Sequence, residues 1–272
     1  MTVLAEKKIG FIGAGNMASA LIGGLVKSYL VEKDAVIASD VDPERREHVA
    51  RDLDIHTTGY NGEVVRFADV VILAVKPNKV TEVLEAVGQD VKPEQILISI
   101  CAGVSTAFIE SFLSAAVPVL RVMPNTPAMV GAGMSVGTCG KHASEKHCEV
   151  AKAILGAVGE VIELDEKHLD AVTAVSGSGP AYFYFLMEHM EAAALAEGLP
   201  PRVAELLVKQ TAFGAAKLAL ASDDKPRTLR HNVTSPGGTT EAAIYLLKRN
   251  NVDQLIVKAV REAAKRSREL GK

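Results

Sequence analysis

Up to about residue 165 the chain alternates short β-branched runs with helical stretches, and that rhythm leaves very few folds open to it. IGFI (9–12), AVIAS (35–39), DVVILAV (69–75), QILISI (95–100) and VPVLRV (117–122) are nearly continuous apolar runs. Strands covered on both faces read this way. Helical candidates lie between them at 16–28, 43–53, 78–88 and 105–114. Right-handed crossovers between parallel neighbours follow, so the pattern predicts an α/β fold with a doubly wound parallel sheet. MSVGTC (134–139) and VIEL (161–164), flanking a helix at about 144–158, extend that sheet.

After Leu164 the strand signal stops, and Ala- and Leu-rich helices are expected near 180–197, 201–221, 240–249 and 252–270. The boundary is expected within 163–168, giving a sheet domain over 1–164 and an all-α domain over 165–272. A chain of 272 residues has room for about two domains. The segment AYFYFLMEHMEAAALAEGL (181–199) is apolar on too many faces for a surface helix of a monomer. Burial in a subunit interface answers that.

Charge and cysteine content narrow the functional classes. Acids outnumber bases 33 to 30, a net charge of −3, which argues against nucleic acid as a partner. The basic stretch VKAVREAAKRSREL (257–270) carries Glu262 and Glu269 at helical spacing and reads as a solvated helix face. Lys7 and Lys8 precede an uncharged run, Ile9–Val26, but Gly10, Gly13, Gly15 and Asn16 break it into strand, turn and helix. No other segment is a membrane-spanning candidate, and a soluble protein is expected. Cys101, Cys139 and Cys148 do not suggest a disulfide framework, so a reducing, cytoplasmic setting is expected. Cys139, His142, His147 and Cys148 lie close in sequence but lack paired C-x-x-C spacing. They read as a turn followed by a helix, with no metal.

The first strand–helix unit reads IGFIGAGNMASALIGGL and contains Gly13-x-Gly15-x-x-Ala18. In that place the pattern is a dinucleotide-binding turn of the Rossmann type. Gly13 permits the turn, Gly15 lets backbone approach a pyrophosphate, and Ala18 allows close helix–strand packing. The second strand ends in Ser39-Asp40. Asp40 accepts ribose hydroxyls and repels the phosphate of NADP, whereas Ser39, Arg45 and Arg46 favour it. Either NADPH or NADH is therefore expected. Asp40 or Asp42 can alternatively cap the next helix, which Pro43 opens. Near the C-terminus, SPGGTT (235–240) opens another helix with bare backbone and hydroxyls. Turn chemistry alone accounts for it, or its N–H groups hold an anion.

AVKP (74–77), CAGV (101–104), MPNTP (123–127), SGSGPAY (176–182) and SPGGTT, taken in this order, closely resemble pyrroline-5-carboxylate reductases, which make proline. The likeness runs from about Lys7 to Leu270. It implies a coenzyme lying along Gly13, Ala14, Gly15, Asn16, Met17 and Ala18, with Ser39 and Asn61 near the adenosine ribose, while Asp40 departs from the family's habit there. Ala74, Val75, Lys76 and Pro77 follow one strand and Ala102 and Gly103 the next. Asn125 borders the nicotinamide, and Asn232 is a further cofactor contact. The family implies a homodimer with interlocking helical domains, in some members a ring of five dimers.

The substrate implied by this resemblance is a cyclic imine bearing a carboxylate. Ser235, Gly237, Gly238 and Thr239 would grip the carboxylate, and the Thr240 hydroxyl would hydrogen-bond the ring nitrogen. Glu166 and Ser176 also stand at substrate-contacting positions. Read by themselves, Lys76 is a solvated charge before Pro77, and Ser176, Gly177 and Ser178 cap the helix that Pro180 begins. A 3-hydroxyacid dehydrogenase of similar architecture is a competing reading. It needs a Gly-x-x-x-Lys-x-x-x-Asn helix, and FGAAKLALA offers Lys217 without that spacing. A nucleotide-binding regulator without turnover is the other alternative. The G-x-S-x-G at Gly133–Gly137 overlaps the MSVGTC strand run and opens no helix, so a serine nucleophile lacks support.

Overall fold

A computed structural model describes residues 3–270. Its eight strands form one sheet in the order β3-β2-β1-β4-β5-β6-β7-β8. In chain order the sheet half runs β1 (Ile9–Ile12), α1 (Asn16–Lys27), β2 (Val36–Ser39), α2 (Pro43–Leu53), β3 (His56–Thr58), α3 (Asn61–Phe67), β4 (Val70–Leu73) and α4 (Val80–Val87). It continues with β5 (Ile96–Ser99), α5 (Thr106–Glu110), β6 (Val119–Met123), β7 (Gly133–Cys139), α6 (Glu145–Gly156), β8 (Gly159–Glu163) and α7 (Leu169–Val172). The six strands up to β6 pair in parallel, as the alternation requires. β7 runs antiparallel to β6, because only a short turn, too short for a crossover, joins them.

Period-two alternation sorts the strand residues onto two buried faces. Ile9, Phe11, Val70, Ile72, Ile96, Ile98, Leu120 and Val122 meet α1 and α6. Ile12, Val71, Leu73, Leu97 and Val119 meet α3 and α4. Burying each such side chain contributes about 1.5–3 kcal/mol, which explains the continuous apolar runs. Arg121 interrupts its strand on the second face, in register with Val119, and has to find a partner there. β3 and α3 were not anticipated: HTT and NGEVVRF are too short and too polar to show a period.

The contacts group the described residues up to Ser178 with those from Ala263 on, and gather Gly179–Glu262 into a second unit. The expected boundary at 163–168 falls earlier than this division. Residues 165–178 lack strand character, yet Leu169 and Ala174 are fully buried.

The second unit is helical, with α8 (Gly179–Ala196), α9 (Pro201–Ala221), α10 (Pro226–Asn232), α11 (Thr239–Arg249) and the start of α12 (Val252–Leu270). Phe183, Tyr184, Phe185 and Leu186 are all more than half exposed over one full turn of α8. Leu206, Phe213 and Leu246 are likewise exposed. So much uncovered apolar surface marks an interaction face. Among the described residues no helix is long and apolar enough to cross a membrane.

The cysteines depart from expectation. Cys139, ending β7, and Cys148, in the first turns of α6, form a disulfide with Cα atoms 6.8 Å apart. The turn between the elements brings them together, which their spacing of nine residues does not announce. His147 caps α6, its Nδ1 accepting the Ser144 N–H at 3.0 Å. Glu163 lies beside the two sulfurs. Cys101 is free and buried, and burial pushes its thiol up to about 11. Protein purified without reductant should therefore show no reactive thiol when native and one when unfolded, against three after reduction. Three thiols in the unfolded, unreduced protein would remove the bridge.

Candidate functional site

The glycine-rich turn is built at the C-terminal edge of β1. Gly13 sits at φ +98°, and a Cβ there would lie 2.7 Å from the Ala74 carbonyl oxygen, so only glycine fits. The Gly13 N–H donates to Ser39 O and the Ala74 N–H to Ile12 O, both at 2.8 Å, drawing three strand ends together. Around Gly15 the space is open. The first helical bond of α1 runs from Ser19 N–H to Gly15 O, so the amides of Asn16, Met17 and Ala18 have no intrahelical acceptor. Open space facing unsatisfied amides at a helix start fits a pyrophosphate.

The acids after β2 divide their work. Asp42 caps α2, accepting the Glu44 N–H at 3.0 Å, with Pro43 in the first helical position. Asp40 turns instead to the glycine-rich turn, its Oδ2 accepting the Ala14 N–H at 2.9 Å. Arg45 holds the same residue through its other backbone group, donating to Ala14 O at 2.6 Å. Ser39, expected to meet the coenzyme, is fully buried, and its hydroxyl donates to Asn61 Oδ1 at 2.7 Å. The serine thus orients Asn61 and leaves the Asn61 Nδ2 as the available donor.

Around Arg121 three chain segments are locked together. This buried guanidinium contacts Glu166 Oε1 at 3.2 Å and Asp170 Oδ1 at 3.8 Å. Glu166 also accepts the Thr106 N–H at 2.8 Å and the Thr106 hydroxyl at 2.7 Å. Asp170 accepts the Ser267 hydroxyl at 2.7 Å. Glu166, expected to contact substrate, therefore has both oxygens engaged within the fold: its carboxylate neutralises a buried cation and the start of α5. Arg121 was not among the sequence candidates, although a lone charge within VPVLRV was the available signal.

Asn125 is a second tie. Its Nδ2 donates to Ser176 O and Oγ, both at 3.3 Å, and its Oδ1 accepts the Met134 N–H at 2.8 Å. Ser176 does not cap a helix. Residues Thr173–Gly177 widen into a π-helical turn, closed by the Ser178 N–H on Thr173 O at 2.8 Å. Such turns are uncommon and concentrate at functional sites. Ala74 and Val75 follow β4 half-exposed, Lys76 is exposed and Pro77 opens a 3-10 turn. The Cys101 thiol donates to Val75 O at 3.2 Å, steadying that loop, and Ala102 leads into Gly103 at φ +78°.

SPGGTT forms the start of α11 in the helical unit. Gly237 lies at φ +72°, and Gly238 is the N-cap, its N–H closing a turn onto Ser235 O at 3.0 Å. The Gly237 N–H is taken by Glu241 Oε2 at 2.7 Å. The first helical bond runs from Ala242 N–H to Gly238 O, leaving the Thr239 and Thr240 amides without an intrahelical acceptor. The bare loop thus presents open amides at a helix start, a geometry that suits an anion, and is braced from one side by its own glutamate. Asn232, exposed, ends α10 two residues ahead of Thr234. Lys217 lies over the Phe213 ring at 5.7 Å, as an ordinary helix-surface pair.

The model of the family described as pyrroline-5-carboxylate reductase dimerisation matches residues 166–270. That of the family described as NADP oxidoreductase, coenzyme F420-dependent, matches residues 8–103. The pyrroline-5-carboxylate reductase of Pseudomonas aeruginosa is 45% identical, the match covering 98% of each chain. A solved pyrroline-5-carboxylate reductase from Coxiella burnetii is 38% identical with a TM-score of 0.88, covering 98% of this chain and 99% of that one. The Plasmodium falciparum pyrroline carboxylate reductase solved with NADP bound is 30% identical with a TM-score of 0.90, at the same coverage.

Replacing Arg121 tests the cluster directly. Arg121→Met leaves two carboxylates facing a void in charge, and unfolding in urea should show a loss of about 3 kcal/mol. Glu166→Gln, which keeps the bond from Thr106, should cost clearly less. Equal midpoints for Arg121→Met and the parent would mean that no charge pairing holds these segments.

Proposed function

The chain belongs to the pyrroline-5-carboxylate reductase family, and we propose that it reduces 1-pyrroline-5-carboxylate to proline with hydride from NAD(P)H. The observation that carries the reading is the SPGGTT helix start, whose unsatisfied amides suit the carboxylate of the substrate. When bound, the reduced nicotinamide supplies the hydride that the imine carbon accepts. A cyclic imine is basic enough to hold a proton near neutral pH, so the protein's task is placement of charge and geometry.

Each group then has a stated role. Gly237 and Gly238 shape the loop, and the Thr239 and Thr240 amides, with Ser235 beside them, bind the carboxylate at the positive end of α11. The Thr240 hydroxyl accepts a hydrogen bond from the protonated ring nitrogen and fixes which face the hydride meets. Gly13 to Ala18 hold the pyrophosphate, Asp40 and Asn61 the adenosine ribose, and Ala74 to Pro77 with Ala102 and Gly103 line the cradle above the strand ends. Asn232 is assigned to the coenzyme as well. Glu166, Ser176 and Asn125 position these segments rather than touch the reacting atoms.

The same proposal includes a homodimer formed through the exposed apolar helices, assembling further into a pentamer of dimers. The match of the dimerisation family to 166–270 supports the dimer. A cytoplasmic location is part of the reading, because the reaction consumes reduced nicotinamide coenzyme.

Steady-state kinetics with 1-pyrroline-5-carboxylate test the assignment. Thr240→Ala should lower turnover about ten-fold or more, the worth of one hydrogen bond to a charged group, and leave coenzyme affinity unchanged. Parent-like turnover in that variant would remove the role of the hydroxyl, and no reduction by the parent would remove the function. Light scattering should give a mass of at least twice the chain's 28.8 kDa. A catalytically competent monomer on dilution would overturn the dimer.

A further inference from the structure

Two adjacent arginines lie near the start of α2, and they differ in what they have left to offer. Arg45 has its guanidinium on Ala14 O at 2.6 Å, Asn16 Oδ1 at 3.0 Å and Ser19 Oγ at 3.2 Å. Its Nε and Nη2, the edge suited to bidentate contact, are thereby committed to the glycine-rich turn and the start of α1. Arg46 uses Nη1 alone, donating to Asp40 O at 2.9 Å and Val41 O at 3.2 Å. Its Nη2 and Nε have no acceptor among the described residues.

Arg46 also reaches across to the next loop. A Cβ built on Gly59 would lie 3.6 Å from its Nη1 and 3.9 Å from its Nη2. The guanidinium therefore bridges the loop after β2, which carries Asp40, and the loop after β3, which leads into Asn61. The Asp40 carboxylate faces inward, held by the Ala14 N–H and by the Asp42 N–H at 3.1 Å. A cation with unengaged donors thus stands at the lip of the ribose position, while the anion that would oppose a phosphate is turned toward the backbone.

We propose that Arg46 recognises the adenosine 2′-phosphate of NADPH and offsets Asp40, so that the cradle accepts both NADPH and NADH. The inference rests on the coenzyme reading above and names the residue that sets selectivity. A planar guanidinium anchored through one nitrogen presents its remaining edge for bidentate contact with a phosphate. Loss of that contact weakens the phosphorylated ligand only.

The test uses adenine nucleotides and the full-length protein, so it needs no turnover. By calorimetry, Arg46→Gln should weaken 2′,5′-ADP about five- to ten-fold and leave 5′-AMP unchanged, as expected for a charge contact at partial exposure. Arg46→Lys, which keeps the charge, should retain part of the preference. Asp40→Asn keeps an acceptor for the Ala14 amide and should strengthen 2′,5′-ADP. Arg66, whose Nη1 would lie 3.3 Å from a Cβ on Gly62, is the control. Equal weakening of both nucleotides by Arg46→Gln makes it a loop clamp and overturns the inference, as does a selective loss in Arg66→Gln. If 1-pyrroline-5-carboxylate is not reduced but these affinities hold, the function falls and Arg46 stands.

Discussion

One buried cation organises the sheet unit. Taking the Arg121 guanidinium out of water costs several kcal/mol, recovered only where carboxylates and hydrogen bonds surround it. Glu166 and Asp170 supply the carboxylates, and each is oriented by a further partner, Thr106 and Ser267. The stretch after CAGV, the strand leading into MPNTP and the segment leading into SGSG therefore meet at one charge. None can drift without uncovering it. The motifs that are far apart in sequence hold their relative places for this reason.

Helix starts are used in two ways. At α5 the chain fills the positive end with its own Glu166 carboxylate, on the Thr106 amide. At α1 and α11 the first amides have no intrahelical acceptor, and glycines keep side chains out of the approach. The same electrostatics thus closes one site and leaves two open to anions. Under the proposed function those anions would be a pyrophosphate and a substrate carboxylate. Glu241 adds a refinement, engaging the Gly237 amide so that the loop keeps its shape.

Much of the function was legible before any coordinates. The apolar strand runs, the Gly13-x-Gly15-x-x-Ala18 turn and SPGGTT each have a local physical cause, and all three are found where they were expected. A cap by Asp40 or Asp42 on the helix that Pro43 opens was also readable, and the structure gives it to Asp42. Ser39 and Glu166 were less so. Both residue types suit ligand contact, and nothing along the chain says that the serine would be sealed under Asn61 or the glutamate drawn to Arg121. The π-helical turn at Thr173–Gly177 has no signature in composition, since the usual helical residues form it.

What the sequence determined by itself depends on neighbours within a turn or a strand: the apolar periodicity of the longer elements, the cap before Pro43 and the glycine turns that open α1 and α11. Only the tertiary structure decided which polar groups face outward. Arg45 and Arg46 are adjacent and chemically identical, yet Nε and Nη2 are bound to the glycine-rich turn and the start of α1 in the first, and have no acceptor among the described residues in the second. Cys139 and Cys148 meet because a turn brings them together. Such pairings depend on distances across the fold, where burial sets how strongly a charge must be matched, and spacing along the chain carries no record of them.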